Sequence, residues 1–398
     1  MYSSRMNLIR PSPASVLRRQ VRELRDQGRD LIDLTSGDLD FPTPTHVIDA
    51  AAQAAREGAT RYTNVDGSPE LKDAICLQFL RQNSLAFTRP EIIVCNGSTQ
   101  AIANALLATL EPGDEVIVPA PSWAPYLDQV RLNGGQPIPL TCPQNNGFKL
   151  RPQELAAAIT PHTRWLILNN PVNPTGAVYS TAELAAIARV LMDNPHVWLL
   201  SDNLYENIVF DGARAACLLE VEPGLRDRTL VVSGVAKSYA MMGWRIGYAA
   251  GPAGLIAEMA KIQSVTTSCA SSVSQAAAIA ALTGPQDVLQ ERAALLAAQR
   301  DSLTAGINAS AGLSCTAPAG TFYLFASCDG VLGRRPPGGP PITTDQEFAG
   351  YLLTSSDVAV FPGSACGLAP YIRMNFALPT EVLTEAARRI AEACKALA

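Results

Sequence analysis

Short runs of apolar residues alternate with segments of helical periodicity over residues 46–284 of this sequence. We predict strands at residues 91–95, 115–119, 165–168, 197–200, 229–232 and 247–250. Alternating strands and helices predict an α/β fold, a three-layer sandwich whose mainly parallel sheet is covered by helices on both faces. Such a sheet binds its ligands at the carboxyl ends of the strands.

The two ends of the chain carry different elements. The segment before residue 46 is predicted to contain a basic helix at residues 14–27 and a strand at residues 31–34. Beyond residue 284 we predict a long helix to about residue 308, strands near 321–325 and 358–361, and a helix from Thr380. The predicted domain organisation is residues 1–45 joining a smaller α/β domain, residues 46–284 forming a large ligand-binding domain, and residues 285–398 completing the smaller domain.

The composition narrows the function classes without selecting one. A net charge of −5 and a pI near 5.4 give no electrostatic reason to expect a nucleic-acid or anionic-membrane partner. No apolar run is long enough to cross a bilayer, and residues 1–13 lack the apolar core of a secretory signal. The nine cysteines include no C-x-x-C pair and the three histidines are far apart. We therefore expect a cytoplasmic protein with reduced thiols and no metal site.

Lys237 has the most informative surroundings of the five lysines. It follows the apolar run at residues 229–232, lies among small residues, and precedes Arg245 by eight positions. An amine shielded from water on a tight loop has a lowered pKa and can form a Schiff base with a carbonyl group. A guanidinium among glycines suits a phosphate dianion. Together the two residues indicate pyridoxal 5'-phosphate.

Four other segments follow predicted strands and are expected at the same edge of the sheet. Residues 96–100 can bind an anion at a helix N-terminus, although an ordinary helix cap also explains them. Asp202 can pair with a protonated ring nitrogen or cap a helix. Residues 169–176, rich in Asn and Pro, predict a rigid polar loop. Trp123 can stack on a flat ring or belong to the core.

In their order along the chain, these features resemble the fold type I pyridoxal-phosphate enzymes, specifically the class I and II aminotransferases. The chain is similar in particular to the bacterial aspartate aminotransferases of subgroup I-gamma. Motifs at residues 61–67, 112–116 and 371–375 extend the resemblance, which covers about residues 11–389. It implies a homodimer with shared active sites that moves an amino group between an L-amino acid and a 2-oxo acid, such as 2-oxoglutarate, in two half-reactions.

The resemblance assigns catalytic and ring-binding roles. Lys237 matches the lysine that holds the cofactor as a Schiff base and moves a proton at the substrate's Cα. Asp202 matches the acid that keeps the pyridine nitrogen protonated. Tyr205 and Asn173 match the pair that binds the ring hydroxyl. Trp123 matches the aromatic residue that stacks on the ring and contacts the substrate.

The resemblance also predicts a phosphate site. Ser98, Thr99 and Arg245 match phosphate ligands from one subunit, and Tyr62 matches a tyrosine that reaches the phosphate bound by the other subunit. Aspartate-specific relatives tend to carry Lys where this chain has Thr99. The turn therefore lacks a cation that could bind a distal carboxylate.

The substrate's α-carboxylate is predicted to form a bidentate pair with Arg373, helped by Asn173 and the backbone of Gly37. Because the turn at the phosphate site lacks a lysine, we expect weaker discrimination in favour of aspartate than in those relatives. If Arg18 or Arg19 supplies the positive charge that the turn lacks, we expect a stronger preference for aspartate instead.

Other departures from the family pattern lie outside the cofactor residues, at Ser122, Met242, Cys269 and Ala270. They alter the pocket, so the identity of the substrate stays open. A second interpretation of the reaction also remains, in which the carbanion chemistry is diverted to elimination, decarboxylation or oxidation of an amino acid. A ligand-sensing module without catalysis is a third interpretation, against which Lys237 argues.

Overall fold

The computed structural model describes residues 2–9 and 13–398, so the first predicted segment lies partly outside the described residues. The helices are α1 (Pro13–Asp26), α2 (Thr45–Arg56), α3 (Pro69–Asn83), α4 (Ser98–Thr109), α5 (Pro125–Leu132), α6 (Pro152–Ala158), α7 (Thr181–Met192), α8 (Leu218–Val221), α9 (Ala253–Thr266), α10 (Ser272–Thr283), α11 (Asp287–Asn308), α12 (Asp345–Ser355) and α13 (Thr380–Lys395). The strands are β1 (Ile32–Asp33), β2 (Ile92–Cys95), β3 (Glu115–Ala120), β4 (Gln136–Thr141), β5 (Thr163–Asn169), β6 (Trp198–Asp202), β7 (Thr229–Gly234), β8 (Gly247–Ala250), β9 (Tyr323–Ser327), β10 (Val358–Ala359), β11 (Phe361–Pro362) and β12 (Tyr371–Asn375).

The central sheet has the strand order β2-β8-β7-β6-β5-β3-β4. Strand β8 pairs antiparallel with β2 and β7, and the pairs from β7 to β4 are parallel. Each of the six strands predicted for residues 46–284 is present, with its ends displaced by at most two residues. The predicted α/β fold with a mainly parallel sheet is confirmed.

The edge strand β4 is not predicted by the apolar pattern. It contains Pro137 and Pro139, and its residues are exposed or half-buried. Proline cannot donate a hydrogen bond to a neighbouring strand and is therefore confined to sheet edges. An edge strand that is only partly buried lacks the continuous apolar run by which the central strands are predicted.

The two faces of the sheet belong to separate apolar cores. On β5, Leu166 and Leu168 pack in the core that includes α2, α3, α7 and α10. Their neighbours Trp165 and Ile167 point to the opposite face, which is covered by α4, α5 and α9. The alternation of side chains along one strand thus buries both faces and produces the three layers.

A third core joins the two ends of the chain. Strand β1 pairs with β10, and the small antiparallel sheet has the order β11-β12-β9. Ile32 and Leu34 pack in the same core as Ile372 on β12 and Leu383 on α13. The two ends of the chain thus pack together, as the predicted smaller domain requires. The boundaries of that domain, near residues 45 and 284, remain a prediction.

Candidate active site

The carboxyl ends of β3, β5, β6 and β7 border one cavity of about 530 Å³. This volume lies within the usual range for small-molecule sites. The cavity is lined by ten of the eleven residues predicted from the sequence, namely Gly37, Ser98, Thr99, Trp123, Asn173, Asp202, Tyr205, Lys237, Arg245 and Arg373. Tyr62 lies outside the cavity, with 89% of its surface exposed.

Lys237 lies three residues beyond the end of β7, and its side chain is half-buried. Its Nζ donates a hydrogen bond of 2.6 Å to the carbonyl of Gly37 and lies 5.4 Å from the centre of the Phe322 ring. Burial lowers the pKa of Lys237 to about 8, and the positive charges of Arg373, Arg245 and Arg18 act in the same direction, against the opposing effect of Asp38. The amine is therefore partly neutral near physiological pH.

Asp202 is the last residue of β6, and its carboxyl group is buried at the cavity wall. Oδ2 accepts a hydrogen bond of 2.5 Å from the hydroxyl of Tyr126, and Oδ1 accepts one of 3.1 Å from the N–H of Leu204. Burial raises the pKa of Asp202, and these two hydrogen bonds oppose the rise. A positive charge in the cavity would stabilise the ionised carboxylate further.

An anion site is formed where α4 begins. The first N–H groups of this helix have no partners within the helix and lie at the positive end of its dipole. Gly97 has a φ of +84°, and a Cβ at this position would collide with the guanidinium of Arg245. A Cβ at Gly247 would collide with the backbone nitrogen of Ser98. The two glycines thus let a guanidinium and a helix N-terminus approach the same point, as phosphate binding requires.

Arg373 is held in a fixed plane at the other end of the cavity. Its guanidinium carbon lies 4.4 Å and 4.5 Å from the ring centres of Tyr323 and Phe361. Nη1 donates to Oδ1 of Asn173 at 3.4 Å, and Nη2 donates to the carbonyl of Thr35 at 3.1 Å. The buried Nε has no hydrogen-bond partner among the residues described. An orphan donor on a flat, fixed guanidinium suits a carboxylate.

The amide of Asn173 also connects Arg373 to Tyr205. Its Nδ2 donates to the hydroxyl of Tyr205 at 3.4 Å. The main chain of Asn173 is fixed in turn, because its N–H donates to Oδ1 of Asn169 at 2.7 Å. The predicted substrate arginine and the predicted ring-binding tyrosine therefore share one positioning residue.

The lining residues that the sequence does not assign include Asp38, Tyr126 and Tyr323. Tyr126 follows Trp123 by three residues at the start of α5, so its helical spacing is a signal that could have found it. Asp38 adjoins the predicted Gly37. Tyr323 lies in an apolar strand and carries no local signal of function.

Residues 29–390 match the family described as aminotransferase class I and II. The chain belongs to this family. The aspartate aminotransferase of Rhizobium meliloti (strain 1021) is 49% identical over 395 residues, covering 99% of this chain and 96% of the relative. The aspartate/prephenate aminotransferase of Cereibacter sphaeroides is 47% identical over 389 residues, covering 98% and 97%. The crystal structure of the Rhizobium meliloti aspartate aminotransferase matches with a TM-score of 0.98 at 48% identity and covers 100% of both chains.

This aminotransferase depends on pyridoxal 5'-phosphate and exchanges amino groups between amino acids and 2-oxo acids. Its cavity fits the cofactor. The glycine-bordered anion site suits the phosphate, and the buried carboxyl of Asp202 suits a protonated ring nitrogen. When bound, the cofactor supplies a reactive carbonyl carbon and a ring that withdraws electrons from the substrate's Cα.

Two further features are absent from residues 2–9 and 13–398. In that part of the chain, no group of three or more His, Cys, Asp or Glu side chains is placed to hold a metal ion. None of its helices is long and apolar enough to span a membrane.

Proposed function

We propose that this aminotransferase takes the amino group of a dicarboxylic L-amino acid, with aspartate as the reference donor, and transfers it to a 2-oxo acid such as 2-oxoglutarate. The observation that carries the proposal is the presence in one cavity of Lys237 and of two arginines besides Arg245, namely Arg373 and Arg18. A dicarboxylic substrate carries two anionic groups and is matched by two cations. The printed names of the relatives, aspartate and aspartate/prephenate aminotransferase, support the same substrate class.

Lys237 is the proposed base and Arg373 the proposed carboxylate ligand. A neutral amine with a pKa of about 8 can remove the proton from the substrate's Cα and return it. Arg373 binds the α-carboxylate through its unpaired Nε–H and a neighbouring Nη–H, and the rings on either side fix the plane of the pair. This pairing holds the substrate's Cα in one orientation relative to Lys237. Such positioning contributes a large part of an enzyme's rate acceleration.

The remaining lining residues are proposed to hold the cofactor. Asp202 keeps a proton on the ring nitrogen, Tyr205 and Asn173 bind the ring hydroxyl, and Trp123 covers the ring. The phosphate is held by the N–H groups and hydroxyls of Ser98 and Thr99 and by Arg245. Support comes from the placement of all these groups around one cavity.

Arg18 is the proposed substitute for the lysine that the anion turn lacks. It lies on α1, lines the cavity, and contributes to the lowered pKa of Lys237. Arg19 is not a lining residue and pairs with Glu23 at 3.7 Å, with 73% of its side chain exposed. Because Arg18 is itself exposed, solvent screens its charge. We therefore expect a preference for aspartate over neutral amino acids that stays below about a hundredfold.

A half-reaction with single amino acids and no 2-oxo acid acceptor tests the proposal. We expect each active site to release one equivalent of 2-oxo acid and then stop, with aspartate reacting fastest. Arg18→Ser should slow the reaction of aspartate about fivefold, the effect of losing about 1 kcal/mol from an exposed ion pair. It should leave alanine unaffected, and Arg19→Ser is the matched control.

Two outcomes would contradict the proposal in different ways. Continued release of ammonia, carbon dioxide or peroxide would indicate diverted chemistry. Equal losses for aspartate and alanine in Arg18→Ser would remove Arg18 from the substrate site while leaving transamination intact.

We also propose a homodimer in which Tyr62 completes the phosphate site of the partner subunit. The loop that carries Tyr62 is held firmly although the tyrosine itself is exposed. Gln275 accepts a hydrogen bond from the N–H of Ser68 at 2.8 Å, and Gln263 donates to the carbonyl of Val65 at 2.6 Å. Tyrosine is enriched at protein–protein interfaces, so an ordered loop that presents an exposed tyrosine suits contact with a second chain.

Tyr62→Phe is expected to weaken the affinity for pyridoxal phosphate by about tenfold, the effect of one hydrogen bond to a charged group. Titration of the apo-protein with the cofactor measures this. Tyr351→Phe is the control, because its hydroxyl bonds the carbonyl of Ala393 at 2.9 Å, outside the cavity. Unchanged affinity in a Tyr62→Phe dimer would contradict the shared site, and an active monomer would contradict the dimer.

A cytoplasmic location is the last part of the proposal. It is supported by the nine cysteines, all of which are free thiols in the structure. Such thiols persist in a reducing compartment. Fractionation of cells that express the protein would contradict the proposal if the enzyme were recovered outside the cytoplasm.

A further inference from the structure

Tyr126 connects two residues that the proposed mechanism uses separately. Its hydroxyl donates the hydrogen bond of 2.5 Å to Oδ2 of Asp202, a residue 76 positions away in the chain. Its ring meets the ring of Trp123 edge-on, with 5.2 Å between the ring centres and an interplanar angle of 82°. Only 2% of Tyr126 is exposed, so water does not compete for either contact.

The main chain of Asp202 is fixed without Tyr126. Its carbonyl accepts hydrogen bonds from Nδ2 of Asn169 at 2.9 Å and from the N–H of Asn170 at 3.0 Å. Of its two carboxyl oxygens, Oδ1 is held by the N–H of Leu204 and Oδ2 by Tyr126. Across the described residues, no Lys, Arg or His lies within salt-bridge distance of this carboxyl. The phenol is therefore its only side-chain hydrogen-bond donor in that part of the chain.

We propose that Tyr126 is a positioning residue, whose hydrogen bond keeps the buried carboxyl of Asp202 ionised and directed into the cavity while its ring supports Trp123. The inference rests on the role given to Asp202 under the proposed function. The titratable side chains that face the carboxyl are Tyr126 from α5 and Tyr205 from the segment after β6. Burial raises the pKa of both phenols well above the usual value, so both remain neutral, and Tyr126 is the one that donates to the carboxyl.

Tyr126→Phe in the cofactor-loaded enzyme tests the inference, because phenylalanine keeps the ring against Trp123 and removes only the donor. We expect kcat to fall about tenfold or more, the effect of one hydrogen bond to a charged group. The KM for the amino acid should change little, because Arg373 is untouched. The acid limb of kcat against pH should move upward by about one pH unit, since a carboxyl that loses a donor is protonated at a higher pH. Titration of the apo-protein should show an affinity for pyridoxal phosphate weakened by about tenfold.

Tyr179→Phe is the matched control. Tyr179 is equally buried, and its hydroxyl accepts a hydrogen bond of 2.8 Å from the N–H of Leu150. Its loss should lower thermal stability without moving the acid limb or the cofactor affinity. If Tyr126→Phe behaves like this control, Tyr126 is only structural and the inference is overturned.

Asp202→Asn distinguishes an error in the role proposed for Asp202 from an error in the role proposed for Tyr126. If this variant keeps the wild-type kcat, the role of Asp202 is wrong and the inference about Tyr126 is overturned with it. If Asp202→Asn is impaired while Tyr126→Phe keeps the wild-type kcat, acid limb and cofactor affinity, the inference alone is overturned.

Discussion

Replacing Lys237 with alanine is expected to lower kcat by at least about 10²- to 10⁴-fold, the contribution of a positioned acid–base side chain. The amine is half-buried and donates a hydrogen bond to the carbonyl of Gly37, and its pKa is lowered to about 8. None of the other lysines in the described residues lines the cavity. No neighbouring amine can therefore take over the proton transfer at Cα.

Two measurements check the assignment of Lys237. Borohydride reduction of the loaded enzyme, followed by peptide mapping, should place the pyridoxyl group on this lysine. Capture of pyridoxal phosphate by the apo-protein should accelerate as the pH rises through about 8 and then level off, because the neutral amine is the nucleophile.

The control for these measurements is Lys149→Ala. Lys149 pairs with Glu183 at 2.9 Å and does not line the cavity, so this variant should behave as wild type. A label on another lysine would refute the assignment. A capture rate that continues to rise toward pH 10, as for an ordinary lysine, would refute the argument about its pKa.

Asp202→Ala is expected to lower kcat about 10³-fold, which corresponds to about 4 kcal/mol of transition-state stabilisation. The ionised carboxyl keeps the ring nitrogen charged, and a neutral ring withdraws electrons from Cα poorly. Folding should change far less. Removing a buried carboxyl relieves a desolvation cost, whereas leaving the hydroxyl of Tyr126 without its partner adds one, so the two effects on the free energy of unfolding oppose each other.

Steady-state kinetics and chemical denaturation of the Asp202→Ala variant measure the two quantities separately. Asp211→Asn is the control, since Asp211 pairs with Arg300 at 2.6 Å outside the cavity. Near-normal turnover by Asp202→Ala with bound cofactor would reduce Asp202 to a residue that only stabilises the turn after β6, through its bond to the N–H of Leu204.

Six of the seven strands of the central sheet are predictable from the sequence because they are largely buried on both faces, unlike the edge strand β4. Strand β7, for example, is buried at every residue, and its residues 230–232 form an uninterrupted apolar run. Since parallel strands present their carboxyl ends at one edge, polar residues after several strands are predicted to meet there. Asp202, Lys237 and Trp123 do line one cavity.

Contacts that depend on how distant segments pack are not predictable in this way. The hydrogen bond between Tyr126 and Asp202 joins a residue of α5 to the last residue of β6, and nothing local to Tyr126 indicates its partner. The sequence leaves Arg18 and Arg19 equivalent, because only the packing of α1 decides which of them faces the cavity. The role of Tyr62 requires a second chain and stays a prediction.

The glycines at the anion site have a consequence for how this enzyme can change. Gly97 and Gly247 leave no room for a side chain, and much of the phosphate contact there would come from main-chain N–H groups. Substitutions at these two glycines are therefore not expected to improve binding of the phosphate. Arg18, in contrast, lines the cavity with an exposed side chain that has no proposed contact with the cofactor. Substitutions at this position can therefore change the preference for the amino donor without loss of the cofactor. A library randomised at Arg18 should consequently yield mostly holoenzyme with altered selectivity rather than inactive apo-protein.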